Sequence, residues 1–186
     1  MLIIKITDFA DGRQFLSGLA GRRIYPKLIA SIDKQAKPTP VFLDFAGLSA
    51  SGSFFSQAVL PLRIYARRMD GYIVVCNLDE ESRDELAWLL DVTPDAIFIC
   101  NLDEDGTISE PRWIGNLEEK QLFTLRAVEE ETQTDATHLS EKYKDVQATG
   151  WNNRLATLSQ KGLLMEFRSG RSKTYRPVLE TQREGV

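Results

Sequence analysis

Four short apolar runs, at residues 2–6, 41–45, 72–76 and 97–101, constrain the fold more than any other feature of the chain. Each is rich in β-branched or aromatic residues, as expected for strands buried on both faces. Helical stretches separate them. Ile24, Leu28, Ile29 and Ile32 form one apolar stripe, which ends before Lys37-Pro38-Thr39-Pro40. Phe55, Ala58, Val59 and Leu62 form a second, in which Pro61 should kink or restart the helix. Leu86, Leu89 and Leu90 form a third, with Trp88 beside them and acids in the first turn, where the helix dipole favours them. Strands alternating with helices predict an α/β domain over residues 1–115 with a mainly parallel or mixed sheet. Residues 107–114 add a candidate edge strand before a boundary near Gly115-Asn116.

A different order of elements follows. Residues 117–130 read as a helix whose stripe includes Leu117, Gln121, Leu122, Leu125 and Val128. Thr134 or Asp135 can cap a second helix at 136–143, and Gly162 stops a third at 148–161. Two strands, 163–168 and 173–177, are joined by the turn Ser169-Gly170-Arg171-Ser172. Three helices and a basic hairpin in this order predict a C-terminal winged helix-turn-helix domain at residues 117–180. Residues 181–186 are expected to be a disordered tail.

Charge is distributed unevenly. Residues 1–115 carry 12 Lys/Arg against 16 Asp/Glu, whereas residues 116–186 carry 11 of each. Within 147–178 the cations Arg154, Lys161, Arg168, Arg171, Lys173 and Arg176 face only Glu166, a surplus that attracts a polyanion. At 100° per residue Trp151, Leu155 and Leu158 share one side of the third helix and read as core. Thr149, Asn152, Asn153, Ala156 and Gln160 fall opposite, where Asn and Gln can pair with adenine edges in a major groove. Arg154 on the flank suits a phosphate, and Arg168, Arg171 and Lys173 would set the hairpin against the DNA backbone or minor groove.

The segment from Gly150-Trp151-Asn152-Asn153-Arg154-Leu155 to Leu158-Ser159-Gln160-Lys161-Gly162-Leu163 resembles the recognition-helix region of MarR-like and ArsR-like bacterial repressors. Those families share a polar start, an Arg, a Leu-x-x-Leu pair and a closing Lys-Gly-Leu. The resemblance covers about 60 residues and implies a regulator that binds double-stranded operator DNA as a homodimer. In the first domain, Asp44-Phe45 ends a strand and Ala46-Gly47-Leu48-Ser49-Ala50-Ser51-Gly52 leads to Ser53-Phe54-Phe55 at a helix start. This pattern resembles the STAS family, the anti-sigma-factor antagonist fold, and more closely its STAS-like branch. In antagonists a serine there is phosphorylated by a kinase. The match falls on Ser53, with Ser51 as the alternative, although Gly52 replaces the family's Asp and Phe54-Phe55 replace its small residues. The resemblance implies a protein partner or kinase for the first domain; the residue chemistry alone fits a helix N-cap at Ser53 equally well.

Nothing points to catalysis. His138 is the only histidine, and no phosphate loop or Ser/His/Asp order can be assembled. Cys76 and Cys100 lie 24 residues apart without zinc spacing and read as small buried hydrophobes. Each opens a Cys-Asn-Leu-Asp-Glu repeat. Asp79, Glu80, Asp103, Glu104 and Asp105 could share a sheet edge and hold Mg²⁺ or Ca²⁺, or could simply solvate loops, with Glu80 or Glu81 capping a helix. The expectation is therefore no enzyme, no cofactor and no bound metal. Two cysteines, no apolar run near the ~20 residues a membrane span needs, and no signal-peptide pattern at the N-terminus predict a cytoplasmic location with no membrane contact.

Overall fold

The computed structural model of the chain describes residues 1–92 and 95–180. Five strands form the main sheet: β1 (Leu2–Lys5), β3 (Thr39–Asp44), β5 (Gly71–Cys76), β6 (Ala96–Leu102) and β7 (Ile108–Gly115), in the spatial order β1-β3-β5-β6-β7. The first four run parallel, and β7 returns antiparallel at the edge. A mixed, mostly parallel sheet is what the apolar runs predicted. Two-residue strands β2 (Phe15–Leu16) and β4 (Ser49–Ala50) pair separately. The tail predicted at 181–186 lies outside the described residues.

Consecutive parallel strands that neighbour in sequence order place their right-handed crossovers on one side. That side carries α1 (Gly18–Ala30), α2 (Gly52–Phe54), α3 (Leu60–Arg68) and α4 (Glu80–Asp91). Ile24, Leu28, Phe54, Phe55, Leu62, Leu86 and Leu90 of these helices and their connections pack on Ile4, Val41, Leu43, Ile73, Val75, Ile97 and Ile99. A π-helical turn, Phe55–Val59, joins α2 to α3. Pro61 then stands in the first turn of α3, where its missing N–H costs nothing. This is the restart that proline demanded.

Alternation sends Phe42, Tyr72, Val74, Cys76, Phe98 and Cys100 to the other face. Their cover comes from the second part of the chain: α5 (Glu119–Glu131), α6 (Ala136–Lys142), α7 (Ala148–Gln160) and the antiparallel hairpin β8 (Leu164–Ser169) and β9 (Ser172–Pro177). Leu125, Val128, Leu139, Trp151, Leu155, Leu158, Leu163, Leu164 and Tyr175 belong to the same continuous cluster as that sheet face. Asp135 rather than Thr134 caps α6, accepting from Thr137 and His138 N–H groups at 2.8 and 2.9 Å. Thr134 instead bridges to Tyr175 of β9, tying the helix connection to the hairpin.

Two arginines of α3 fasten the parts together. Arg63 is buried, pairs with Asp95 at 3.0 Å, and donates to the carbonyls of Ala96 and Lys161. Arg67 donates to the Ser159 carbonyl at 2.8 Å and lies 3.7 Å above the Tyr72 ring. Ser159 lies in the last turn of α7 and Lys161 caps its end, so both carbonyls sit at the negative end of the helix dipole, where two guanidinium groups suit them. Tyr72 completes the junction by accepting the Glu166 N–H at 2.7 Å. Among the described residues no helix is long and apolar enough to cross a membrane.

Candidate nucleic-acid interface

Helix α7 buries Trp151, Leu155 and Leu158 completely, as its periodicity required. Trp151 packs against the rings of Phe123 and Tyr143 at 5.9 and 5.6 Å, and those two rings meet each other at 5.2 Å. On the opposite side Thr149, Asn152, Asn153 and Gln160 are exposed, and Ala156 is half-buried. Arg154 is half-buried on the flank with its guanidinium 5.3 Å from the Trp151 ring centre. This exposed polar stripe is not uniform. Its first half, Thr149 to Asn153, is open, whereas Ala156, Ser159 and Gln160 line a cleft of about 420 Å³ whose far wall is the α/β part.

The hairpin turns through Gly170, at φ +60°, a conformation costly for other residues. Its register sets Arg168 directly opposite Lys173. Two like charges in that position repel, and Glu166 relieves them. Its carboxylate accepts from Arg168 Nε at 2.6 Å, from Lys173 Nζ at 3.3 Å and from the Tyr175 hydroxyl at 3.0 Å. Burial pushes the Glu166 carboxyl up, but these three hydrogen bonds together outweigh it and hold the group below the usual carboxylate range. Burial and the same carboxylate push the Tyr175 phenol up. The single acid of the basic segment is thus bound to two of its cations. Sequence set Arg168 and Lys173 against a DNA backbone or minor groove; both belong to an ion-pair network with Glu166, while Arg171 stands exposed at the turn.

No protein-family model matches the chain, and no curated protein matches it significantly.

The other predicted sites fall elsewhere. Ser53 does not cap its own helix. Ser51 does, accepting the Phe54 N–H at 3.3 Å. Ser53 is exposed; its hydroxyl accepts the Gly18 N–H at 3.1 Å and lies 2.8 Å from the Ser51 hydroxyl. It therefore serves the N-terminus of α1, where Ser17 makes no side-chain cap of its own. Glu85 occupies the N-terminus of α2 by accepting the Gly52 N–H at 2.6 Å.

At the carboxyl edge of the sheet the two Cys-Asn-Leu-Asp-Glu copies diverge. Asp79, not Glu80 or Glu81, caps α4 through the Ser82 N–H at 2.8 Å, and its second oxygen takes the Ser49 hydroxyl. Burial pushes the Asp79 carboxyl up, yet these bonds hold it below its ordinary value. Asp105 closes its own turn on the Thr107 N–H. Among the described residues no three His, Cys, Asp or Glu side chains group to hold a metal. Cys76 and Cys100 are neighbours in register and buried, with their sulfurs 3.5 Å apart.

Sequence reasoning missed the cleft and the arginines beside it. Arg63 and Arg67 lie four apart on α3, hence on one face, which was the available signal.

Proposed function

We propose that the chain is a DNA-binding transcriptional regulator. In this reading residues 117–180 form a winged helix-turn-helix, α7 enters the major groove, and the STAS-like α/β part receives the signal. The observation that carries it is the division of α7: apolar residues are sealed inward while Thr149, Asn152 and Asn153 stand exposed, on a helix that packs against the cationic hairpin. Asn152 and Asn153 offer paired donors and acceptors to adenine edges, Arg154 reaches a phosphate, and Arg168, Arg171 and Lys173 neutralise the backbone. Because Gln160 opens on the cleft, base contacts concentrate in the first half of α7. A homodimer presenting two such helices would read paired half-sites.

Selection of bound duplexes from a random pool, repeated across salt concentrations, tests this directly. A preferred sequence with steep salt dependence is expected. Replacing Arg168, Arg171 and Lys173 together by Ala should lower the salt slope by up to about 3 units for every sequence. Absence of any retained duplex would remove DNA from the function.

The second reading is a partner-switching module whose α/β part binds a protein or kinase. Ser53 favours it, since its hydroxyl is exposed and holds the N-terminus of α1. A phosphate there would carry about −1.5 to −2 charge to the N-terminal end of α1, which the helix dipole favours. Mass spectrometry of the protein from its own host would detect that phosphate, and unmodified protein under all growth conditions would leave Ser53 a structural residue.

A further inference from the structure

The cleft between the two parts has the composition of an anion-binding site. Its walls come from three directions: Lys37 and Pro38 before β3, Gln160 and Ser159 at the end of α7, and Arg168 and Lys173 on the hairpin. Arg67, stacked on Tyr72, also lines it. Four cations thus face two carboxylates: Asp70 is paired with Lys34 and Glu166 with Arg168 and Lys173, while Lys37 and Arg67 pair with no carboxylate among the described residues. A second observation concerns the hydrogen bonding of one of these cations. Arg67 Nη1 is buried and has no hydrogen-bond partner among the described residues. An unsatisfied buried N–H of a charged group is rare and costly, and a missing ligand or water is its ordinary explanation.

We propose that this cleft binds a small organic anion, one that joins a carboxylate or phosphate to a flat or apolar body. The anionic group would meet Lys37, Arg67 and the hairpin cations, and the body would lie along Pro38 and Ala156. At about 420 Å³ the space suits a metabolite rather than a polymer. The ligand touches the α/β part, α7 and the hairpin at once, so binding it biases how the hairpin and the second half of α7 are held. Resting on the regulator reading, it makes this junction the place where an effector acts on DNA binding.

Titration of the ¹⁵N-labelled full chain at constant ionic strength tests binding without any DNA present. The probes are inorganic phosphate, citrate, benzoate and adenosine monophosphate. At least one probe with an apolar body should shift the amides of Lys37, Gln160 and Lys173 and saturate in the millimolar range or below. Lys37→Ala, an exposed loop change that leaves the core intact, should weaken that probe about tenfold, as loss of one charge-assisted contact does. Shifts that fail to saturate, or affinity unchanged in Lys37→Ala, overturn the proposal. So does a Lys37→Ala protein that binds no small anion less well but binds duplex DNA less well, since the cleft would then be a phosphate contact of the DNA itself. Saturable anion binding by a chain that retains no duplex would keep this site and refute the regulator.

Discussion

Both faces of the main sheet are apolar but are covered in opposite ways. One is covered by the crossover helices α1–α4, which the connections between parallel strands put there of necessity. The other is covered by segments that follow the sheet in sequence and return to it, with Arg63, Arg67 and Tyr72 fixing their approach. A parallel sheet needs both covers. The difference is that the first cover is dictated by topology and the second depends on residues that sequence periodicity does not connect. The α/β part and the three-helix part are thus distinct in element order yet share one buried cluster.

The most severe way to break this comparison is to remove the second cover. A fragment ending at residue 116 would expose Phe42, Tyr72, Val74 and Phe98. At about 1.5–3 kcal/mol per large apolar side chain, that loss rivals the whole stability of a small domain, about 5–15 kcal/mol. The fragment should aggregate or bind a hydrophobic dye, while the full chain unfolds in one transition by both near-UV and far-UV dichroism. A monomeric fragment with dispersed amide resonances would show that the first face suffices.

Single large side chains should come next. Trp151→Ala, inside the second cover, should cost about 3–5 kcal/mol in urea unfolding, and Phe98→Ala beneath it a similar amount. If the Trp151 variant keeps wild-type stability but changes sequence preference, the face assignment of α7 is reversed.

These two residues also mark what was legible from sequence. Trp151, Leu155 and Leu158 were placed in the core from spacing alone, because helical periodicity reports a face directly. The four parallel strands were likewise readable, since apolar runs without alternation imply burial on both sides. What spacing cannot report is the partner of a face. Phe42 and Val74 point to a cover without saying which segment supplies it, so the junction at Arg63 and Arg67 and the cleft beside it stayed hidden. Two helix caps, at α2 and α4, failed for a different reason. Ser51 and Ser53, or Asp79 and Glu80, are chemically interchangeable at a helix start, and only the backbone geometry selects between them.

The fastening arginines should have intermediate effects. Arg63→Ala removes bonds to Asp95, Ala96 and Lys161 and should cost about 2–3 kcal/mol by the same urea measurement. Arg63→Lys, which cannot form the forked pair, should recover only part of that. Full recovery by Lys would mean that charge, not the shape of the contact, joins the parts.

Glu166 tests the second cover through pH. Its folded-state carboxyl is held below the ordinary range, so the stability it adds is fully present above the unfolded value of about 4.3. That contribution is lost as pH falls through the lowered folded value. Glu166→Gln should therefore be destabilised by about 1 kcal/mol at neutral pH, with the difference from wild type closing in acid. The same change frees Arg168 and Lys173, so binding to random DNA should strengthen and its salt slope steepen by about 1. A stability gap that persists unchanged in acid would sever Glu166 from this network.

The smallest effects belong to the first cover, where Ser51 and Ser53 divide two capping roles. Ser51→Ala removes the cap of α2 and should cost about 1 kcal/mol. Ser53→Ala removes exposed bonds to the Gly18 N–H and to the Ser51 hydroxyl and should cost a few tenths. Ser53→Asp keeps an acceptor there and adds a negative charge near the start of α1, which the dipole favours by about 0.3–1 kcal/mol. Its melting point should thus equal or exceed that of Ser53→Ala. Crowding opposes this, because Gly18 and Ser53 already approach so closely that a Cβ on Gly18 would lie 3.0 Å from the Ser53 hydroxyl. Gly18→Ala should accordingly destabilise wild type, and less so once Ser53 is Ala. Thermal melts of the four single variants and the double variant separate these terms by a mutant cycle. If Ser53→Ala costs more than Ser51→Ala, the cap returns to Ser53 and the division between the two serines falls.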